Sequence, residues 1–513
     1  MFRTVYTFIL LLALQATTFA QTYRPVCGTS QEDLSIISQR LQQHLADIRH
    51  NPPLLEERTI KYVPLTFHLV AKSDGTGRIN EKDVYDQLCA LNTDYADMEI
   101  QFYIKKLNYI NNTTVFQTHA NAFGFMQFQR DLGSINIWVV EDATPAGDGL
   151  GTTLGYFTAN FDWLVVRKDE INDDSSTLPH EIGHYFALDH PFNGWDFEPY
   201  DPAVHGIPAP AISPGGIATE RQDGSNCATA GDFLCDTAPD FNLGFGWPNC
   251  TYNGGAKDPM NVIINPDEKL FMGYFLNCPR SEYYFSAQQK QVIQQDLAGR
   301  LVLSSGNPRR IVLGTNINTT VINEVPQLVS PIDSALTPGY NAVVLNWNGV
   351  TGADSYILQV SRLSNFSILT LEELVYGTSQ VVTGLQSDKL YFWRVRPQNN
   401  HYACAPFTPT EAFRTSTTVG ANDISSVNDW AVMPNPTAGQ TDLFVRLQVN
   451  APFEGRLMLF NATGQIVQQQ AAQRFEAGEQ NMQIPIGNLQ SGVYIVSLQT
   501  QEGRLNKRIV VTQ

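Results

Sequence analysis

Apolar residues along the chain change period several times, and each change predicts a different element. The first run, residues 8–14, is unbroken, with Arg3 before it and Thr18-Phe19-Ala20 after it. That order predicts a secretory signal over residues 1–20, cut after Ala20. The run is too short to cross a bilayer and no later stretch is long enough, so no transmembrane segment is expected. Residues 21–57 are polar, with helical spacing around 34–48 and then Asn51-Pro52-Pro53, and they read as a pro-segment. Residues 62–70 alternate as a strand, and 81–97 place Val84, Leu88, Leu91 and Tyr95 on one side of a helix. His68, on that first strand, reads as structural. Further strands are expected at 100–107, 135–140 and 163–167. They precede a helix with Thr177 as its cap and Pro179 in its first turn.

Strands alternating with helices predict an α/β upper half for a domain spanning 58–305. The irregular stretch 191–279 forms its lower half, and a helix at 285–301, rich in Gln and apolar residues, closes it. After a linker at 306–325, residues 326–417 read as a β-sandwich, with strands at 343–347, 356–361 and 390–395. Residues 427–513 are strand-rich again. The expected fold class is multidomain, an α/β domain followed by two all-β sandwiches.

Composition narrows the picture. A chain of 513 residues is too long for one core. Its 33 Lys plus Arg against 50 Asp plus Glu give a net charge of -17, which argues against nucleic acid as a partner. Export permits disulfides, and seven cysteines form an odd set. Cys227, Cys235, Cys250 and Cys278 bracket the irregular segment, where two bridges in any of three connectivities would pin the loops. Cys89 falls in the apolar helical pattern and is expected as a buried free thiol; Cys404 has no evident partner.

The chemistry concentrates in His180-Glu181-Ile182-Gly183-His184-Tyr185-Phe186-Ala187-Leu188-Asp189-His190. On a helix, His180 and His184 lie one turn apart on one face, with Glu181 beside them. Helix periodicity carries residue 190 away, so His190 joins them only if the helix stops near residue 187 and the chain turns back. Three neutral imidazoles then hold zinc and leave a fourth position for water, acidified to a pKa of roughly 7. Glu181 is placed to take that proton and pass it to a leaving amine. Within the pro-segment, Arg24-Pro25-Val26-Cys27-Gly28-Thr29 offers a thiolate, a strong zinc ligand. Cys27 is expected to fill the fourth position and hold the chain latent, the bland alternative being an incidental unpaired cysteine.

The spacing resembles the metzincin metalloproteases, His-Glu-x-x-His-x-x-Gly-x-x-His. Ala187 stands where that pattern has Gly, and a left-handed turn there costs Ala about 1 kcal/mol. Metzincins also carry a methionine turn. Leu270-Phe271-Met272-Gly273-Tyr274 fits it, with Met272 as the floor and Tyr274 where the family often has a tyrosine near the zinc. Across roughly 58–305 the chain resembles the pappalysin or cytophagalysin family. The matches are the zinc helix, the opening strand, Gly231-Asp232-Phe233-Leu234-Cys235-Asp236-Thr237-Ala238-Pro239, the methionine turn and Phe285-Ser286-Ala287-Gln288-Gln289. A similar Cys-Gly-Thr occurs early in those proenzymes.

That resemblance implies calcium ligands in the Asp-Thr-Pro segment, into which this chain inserts Ala238. Asp232 and Asp236, with Thr237, suit a hard cation, although solvated loop acids fit the same residues. The resemblance also favours Cys227–Cys250 and Cys235–Cys278, and Arg after the scissile bond, so self-cleavage is expected at Glu57-Arg58. Residues 326–417 look like a fibronectin type III domain, with Trp347 as core and Tyr391 as corner tyrosine. Met433-Pro434-Asn435-Pro436, residues 457–464, 492–496 and 507–511 resemble the C-terminal sorting domain of the type IX secretion system. Export through that machinery, to the extracellular space or the outer-membrane surface, is implied.

These features point to a secreted zinc endopeptidase acting on protein or peptide, with Glu181 as base and acid and Tyr274 helping to hold the oxyanion. The alternative is a surface adhesin, catalytically impaired through Ala187, that binds through its fibronectin-like module.

Overall fold

The structure, a computed structural model, describes the chain apart from residues 1–25, 51–58, 146–152, 303–308, 316, 418–423, 425, 439–441, 462–464, 488, 501–503 and 513. The signal expected at 1–20, the Glu57-Arg58 junction and part of the 306–325 linker lie outside the described residues.

The sheet nearest the histidines contains β1 (Lys61–Ala71), β2 (Ile100–Asn111), β3 (Ile135–Val140), β4 (Gly155–Thr158) and β5 (Trp163–Arg167), in the order β2-β1-β3-β5-β4. β4 runs antiparallel to β5 at the edge, and the other pairings are parallel. A parallel sheet is covered on both faces, and the period of two sorts its residues between the covers. Helices in chain order are α1 (Gln31–His50), α2 (Glu81–Asp94), α3 (Thr113–Thr118), α4 (Phe123–Gln129), α5 (Thr177–Tyr185), α6 (Pro202–His205) and α7 (Ala287–Leu301). Val63, Leu65, Phe67 and Leu69 enter a core shared with Ile37 and Leu41 of α1, Val84 and Leu88 of α2, Ile182 of α5 and Val292 of α7. On the other face, Val70, Trp138 and Trp163 pack with Phe116 of α3 and Met126 of α4. His68 is buried there, 3.0 Å from Asn136 Oδ1, accepting from Asn108 Nδ2 and stacked on Trp138.

The C-terminal half of the chain is strand-rich, so the molecule is multidomain and mostly β. Residues 328–414 form two sheets around Leu345, Trp347, Leu358, Trp393 and Phe413. The Tyr391 hydroxyl there accepts from the Gln386 amide at 2.9 Å. Residues 427–512 form two more sheets around Val445, Leu457, Val496 and Ile509.

The cysteines pair differently from expectation. Cys89 is bonded to Cys404, 315 residues away, so neither is free. The segment around residue 400 folds onto α2 and the neighbouring β2: Arg396 pairs with Asp86 of α2, and Ile104 N of β2 donates to Asn400 O at 2.8 Å. Helical periodicity marks Cys89 as facing inward but carries no sign of a segment returning from so far along the chain. In the lower half the bridges are Cys227–Cys235 and Cys250–Cys278, not the alternating pairs. A 3-10 turn at Cys227–Thr229 and a left-handed Phe233 (φ 62°) fold that segment back on itself, leaving the two Cα atoms 5.0 Å apart.

Ser176, not Thr177, holds the cap position of α5; Thr177 is its first helical residue and donates its hydroxyl to Glu170 Oε2 at 2.8 Å. The helix ends in a Schellman turn. Leu188 N donates to Gly183 O and Ala187 N to His184 O, both at 3.0 Å, while Ala187 adopts φ 65°. That reversal carries the chain back toward α5, and it places a Cβ in the left-handed region. Ala187→Gly should therefore raise stability by up to about 1 kcal/mol, offset in part by the freer unfolded glycine. The check is thermal unfolding: Tm should rise, and a fall would show the alanine is unstrained.

Candidate metal centre

α5 sets His180 and His184 side by side, and the turn after it returns His190 to both. His190 Nε2 lies 3.1 Å from His180 Nε2 and 3.0 Å from His184 Nε2. The opposite ring nitrogens are each fixed. His180 Nδ1 donates to Phe271 O at 2.7 Å and His184 Nδ1 to Leu188 O at 2.8 Å, since a carbonyl can only accept. His190 Nδ1 faces Asp196 Oδ1 at 2.6 Å, and Asp196 Oδ2 accepts from Gly194 N. With the protons held at Nδ1, three Nε2 lone pairs confront one another at hydrogen-bond distance with no hydrogen between them. A cation satisfies all three at once, and a set of neutral imidazoles suits zinc. Burial, followed by the neighbouring His190, holds His180 down to about 3 and His184 well below its usual value, which keeps the rings neutral.

The floor comes from residues 270–273, a turn closed by Gly273 N donating to Leu270 O at 3.0 Å. Met272 is fully buried, and a Cβ on Gly183 would lie 2.3 Å from its sulfur, so α5 rests on the methionine through a glycine. Tyr274 follows, its ring 5.1 Å from that of His190. Phe192 stacks on His190 at 4.5 Å and meets the Tyr274 ring edge-on at 4.6 Å. Glu181 is buried beside the set, and burial pushes it up to about 8.

Cys27 belongs to the same cluster: its Sγ and one nitrogen from each of the three histidines lie within 4.8 Å of one another. The thiol is 3.6 Å from Glu181 Oε2, and its amide donates to the Tyr274 hydroxyl at 3.2 Å. Burial, then the Glu181 charge, pushes the thiol well above its usual value. The segment is held along β4, with Gly28 N donating to Gly155 O at 2.9 Å and Leu154 N to Val26 O at 2.8 Å. A Cβ at Gly28 would stand 2.6 Å from Thr153 Cγ2, so only glycine fits that approach.

The residues considered for calcium separate. Asp236 is engaged at the start of α7, accepting from Ser286 Oγ at 2.8 Å and Gln288 N at 2.7 Å. Asp232 Oδ1 accepts from Leu234 N and the Thr237 hydroxyl, but its buried Oδ2 has no partner. Asp189 Oδ1 and Glu220 Oε2 are likewise buried and without partners. Burial and then the Asp232 charge push Glu220 up to about 9, and burial pushes Asp232 up to about 7.

Sequence reasoning missed Asp196 and Phe192, which both meet His190. Asp196 had a signal, an acid six residues past His190 in a chain whose candidate metal-binding histidines need carboxylate or carbonyl acceptors behind them. The partners of His180 and His184 are backbone carbonyls, for which side-chain identity is silent.

Residues 431–512 match the family model described as the secretion system C-terminal sorting domain. The chain is 30% identical over 149 residues to an extracellular metalloprotease of Colletotrichum graminicola, a match covering 26% of this chain and 52% of that one. It is 23% identical over 235 residues to extracellular metalloprotease 1 of Coccidioides posadasii, covering 41% of this chain and 70% of that one. This chain therefore spans about half the length of the first of these relatives. Among solved structures, the FN1–FN3 domains of chicken CNTN1 match at 11% identity with TM-score 0.16, covering 39% of this chain and 71% of that one. FN3tt matches at 17% with TM-score 0.14, covering 18% and 97%. No helix among the described residues is long and apolar enough to cross a membrane. With a secretion sorting domain at its C-terminus and distant homology to extracellular metalloproteases, the chain is a secreted or cell-surface protein.

Proposed function

We propose that this chain is a zinc endopeptidase of the metzincin kind, pappalysin-like over 58–305, exported as a latent precursor. One observation carries the reading: three Nε2 atoms converge with no proton between them, beside a buried carboxylate. His180, His184 and His190 would hold the ion. Zinc bound there would supply a Lewis acid that polarises a scissile carbonyl and acidifies water. Glu181 would take the proton from that water and deliver it to the leaving amine, and its raised proton affinity serves both transfers. Tyr274, whose hydroxyl now meets the Cys27 amide, is placed to donate to the oxyanion once that amide has left. Protein or peptide is the substrate, and residues 427–513 direct export through the type IX machinery.

Cys27 supports latency because its sulfur sits within the histidine set and against Glu181. In the rival adhesin reading Ala187 abolishes the site, yet Ala187 takes the left-handed turn and leaves all three histidines together. Of the residues considered for calcium, Asp236 is already engaged at the start of α7 and only Asp232 Oδ2 is left without a partner, so no calcium site is assigned.

Glu181→Gln should lower peptide hydrolysis by the mature protein roughly 100-fold or more, and a zinc chelator should abolish it in the native protein. Hydrolysis surviving both changes would remove the assignment. Cys27→Ala should make the precursor active without pro-segment cleavage, read as substrate turnover in freshly secreted protein; a silent precursor would show that Cys27 does not cause latency.

A further inference from the structure

The strand Ser355–Ser361 departs from the pattern of an isolated two-sheet module. Strands of such a module alternate, one face in the core and one toward water, and Ala342–Trp347 alternates buried with partly exposed positions. In Ser355–Ser361 all seven residues are buried. Tyr356, Leu358 and Val360 enter the core of the module, while Ile357, on the opposite face, enters the core of the histidine-bearing domain with Val84 and Leu88 of α2. The strand Leu369–Val375 divides the same way at its end: Val375 turns into the module and Leu374 joins the α2 side. Period two therefore sorts these residues between two cores, not between a core and solvent.

Residues 399–404 fasten the contact. Cys404 is bonded to Cys89 of α2, and Ala403 is buried in the shared core. Asn400 O accepts from Ile104 N at 2.8 Å, covering part of the outer edge of β2. Asn92 of α2 donates from Nδ2 to Phe102 O at 3.0 Å and to His401 O at 3.4 Å, and its Oδ1 accepts from Phe102 N at 2.6 Å. His401 Nε2 lies 2.6 Å from Gln101 Oε1, its ring edge-on to Tyr62. The C-terminal end of α2 also holds the beginning of α5. The hydroxyl of Tyr95, which caps α2, donates to Pro179 O at 3.2 Å, next to His180. Asp94 binds Arg280 bidentately, and Arg280 Nε donates to Ser175 O at 3.1 Å. The module, α2 and the start of α5 thus form one chain of direct contacts.

We propose that residues 328–414 are an integral brace of the histidine-bearing domain: they fold and unfold with it, and by fixing α2 they keep the start of α5, and so His180 and Glu181, in place. The face they turn to α2 is spent on that contact and is not free for another partner. The effect on metal retention rests on the zinc reading above; the shared folding unit does not.

Hydrogen exchange with mass spectrometry, run on the full-length chain across a urea series, reads the opening of each segment separately. Residues 355–361 and 390–398 should lose protection at the same urea midpoint as α2 and α5. Opening of the module at lower urea, with α2 still protected, would overturn the proposal. Cys89→Ser combined with Cys404→Ser should lower the midpoints of the module, α2 and α5 together. In the zinc-loaded chain the same pair should speed transfer of zinc to a chromogenic chelator about 5-fold. An α5 midpoint or a transfer rate unchanged from native would overturn the brace. Should the double variant fail to fold, the native midpoints decide. A native chain that binds no zinc would remove the zinc reading and leave those midpoints to decide the shared folding unit.

Discussion

Three imidazole nitrogens turned toward one another without a hydrogen to share are the constraint around which the upper and lower halves of this domain are arranged. Each ring is held from behind by an acceptor that fixes its proton: Phe271 O, Leu188 O and Asp196 Oδ1. Those acceptors come from the methionine turn, the end of α5 and the loop beyond it, so three separate segments must be in register before the nitrogens meet. Repulsion among the lone pairs makes this arrangement costly without a cation, and the close packing of Gly183 on Met272 keeps the helix from backing away.

The segment ahead of β1 is built into the same arrangement. Cys27 engages the histidines, Glu181 and Tyr274 together, while α1 buries Ile37 and Leu41 in the main core. Arg40 pairs with Asp296 of α7, and His44 approaches it at 2.9 Å. Despite burial, the guanidiniums of Arg300 and Arg40 hold Asp296 well below the usual carboxylate range. One segment therefore does both: residues 26–28 close over the histidines, and α1 behind them completes a hydrophobic face. Departure of the segment would uncover both.

The β-rich C-terminal half is tied to the domain that carries the histidines. Cys404 is bonded to Cys89 of α2, and Arg396 pairs with Asp86 on the same helix. Arg508, from the last strand, reaches Glu81 at the start of α2 at 2.8 Å. α2 is thus the common anchor of the two following β-structures, on the side of the sheet away from α3 and α4.

The short-range pattern determined much of this. Period-two alternation in 62–70 and the helical stripe of Val84, Leu88 and Leu91 predicted β1 and α2, because burial on two faces and on one stripe imposes those periods. The spacing of His180, His184 and His190 predicted that three imidazoles could meet with Glu181 beside them, since ligand identity is local chemistry. Long-range closure was another matter. Which cysteines meet depends on where the chain folds back, so Cys89 with Cys404, and Cys227 with Cys235, were decided only by tertiary structure. The acceptors behind the rings are largely carbonyls, which every residue carries, so side-chain identity does not reveal them. Sequence chose the three imidazoles; only the packed chain, by setting distances between segments, chose what stands behind them.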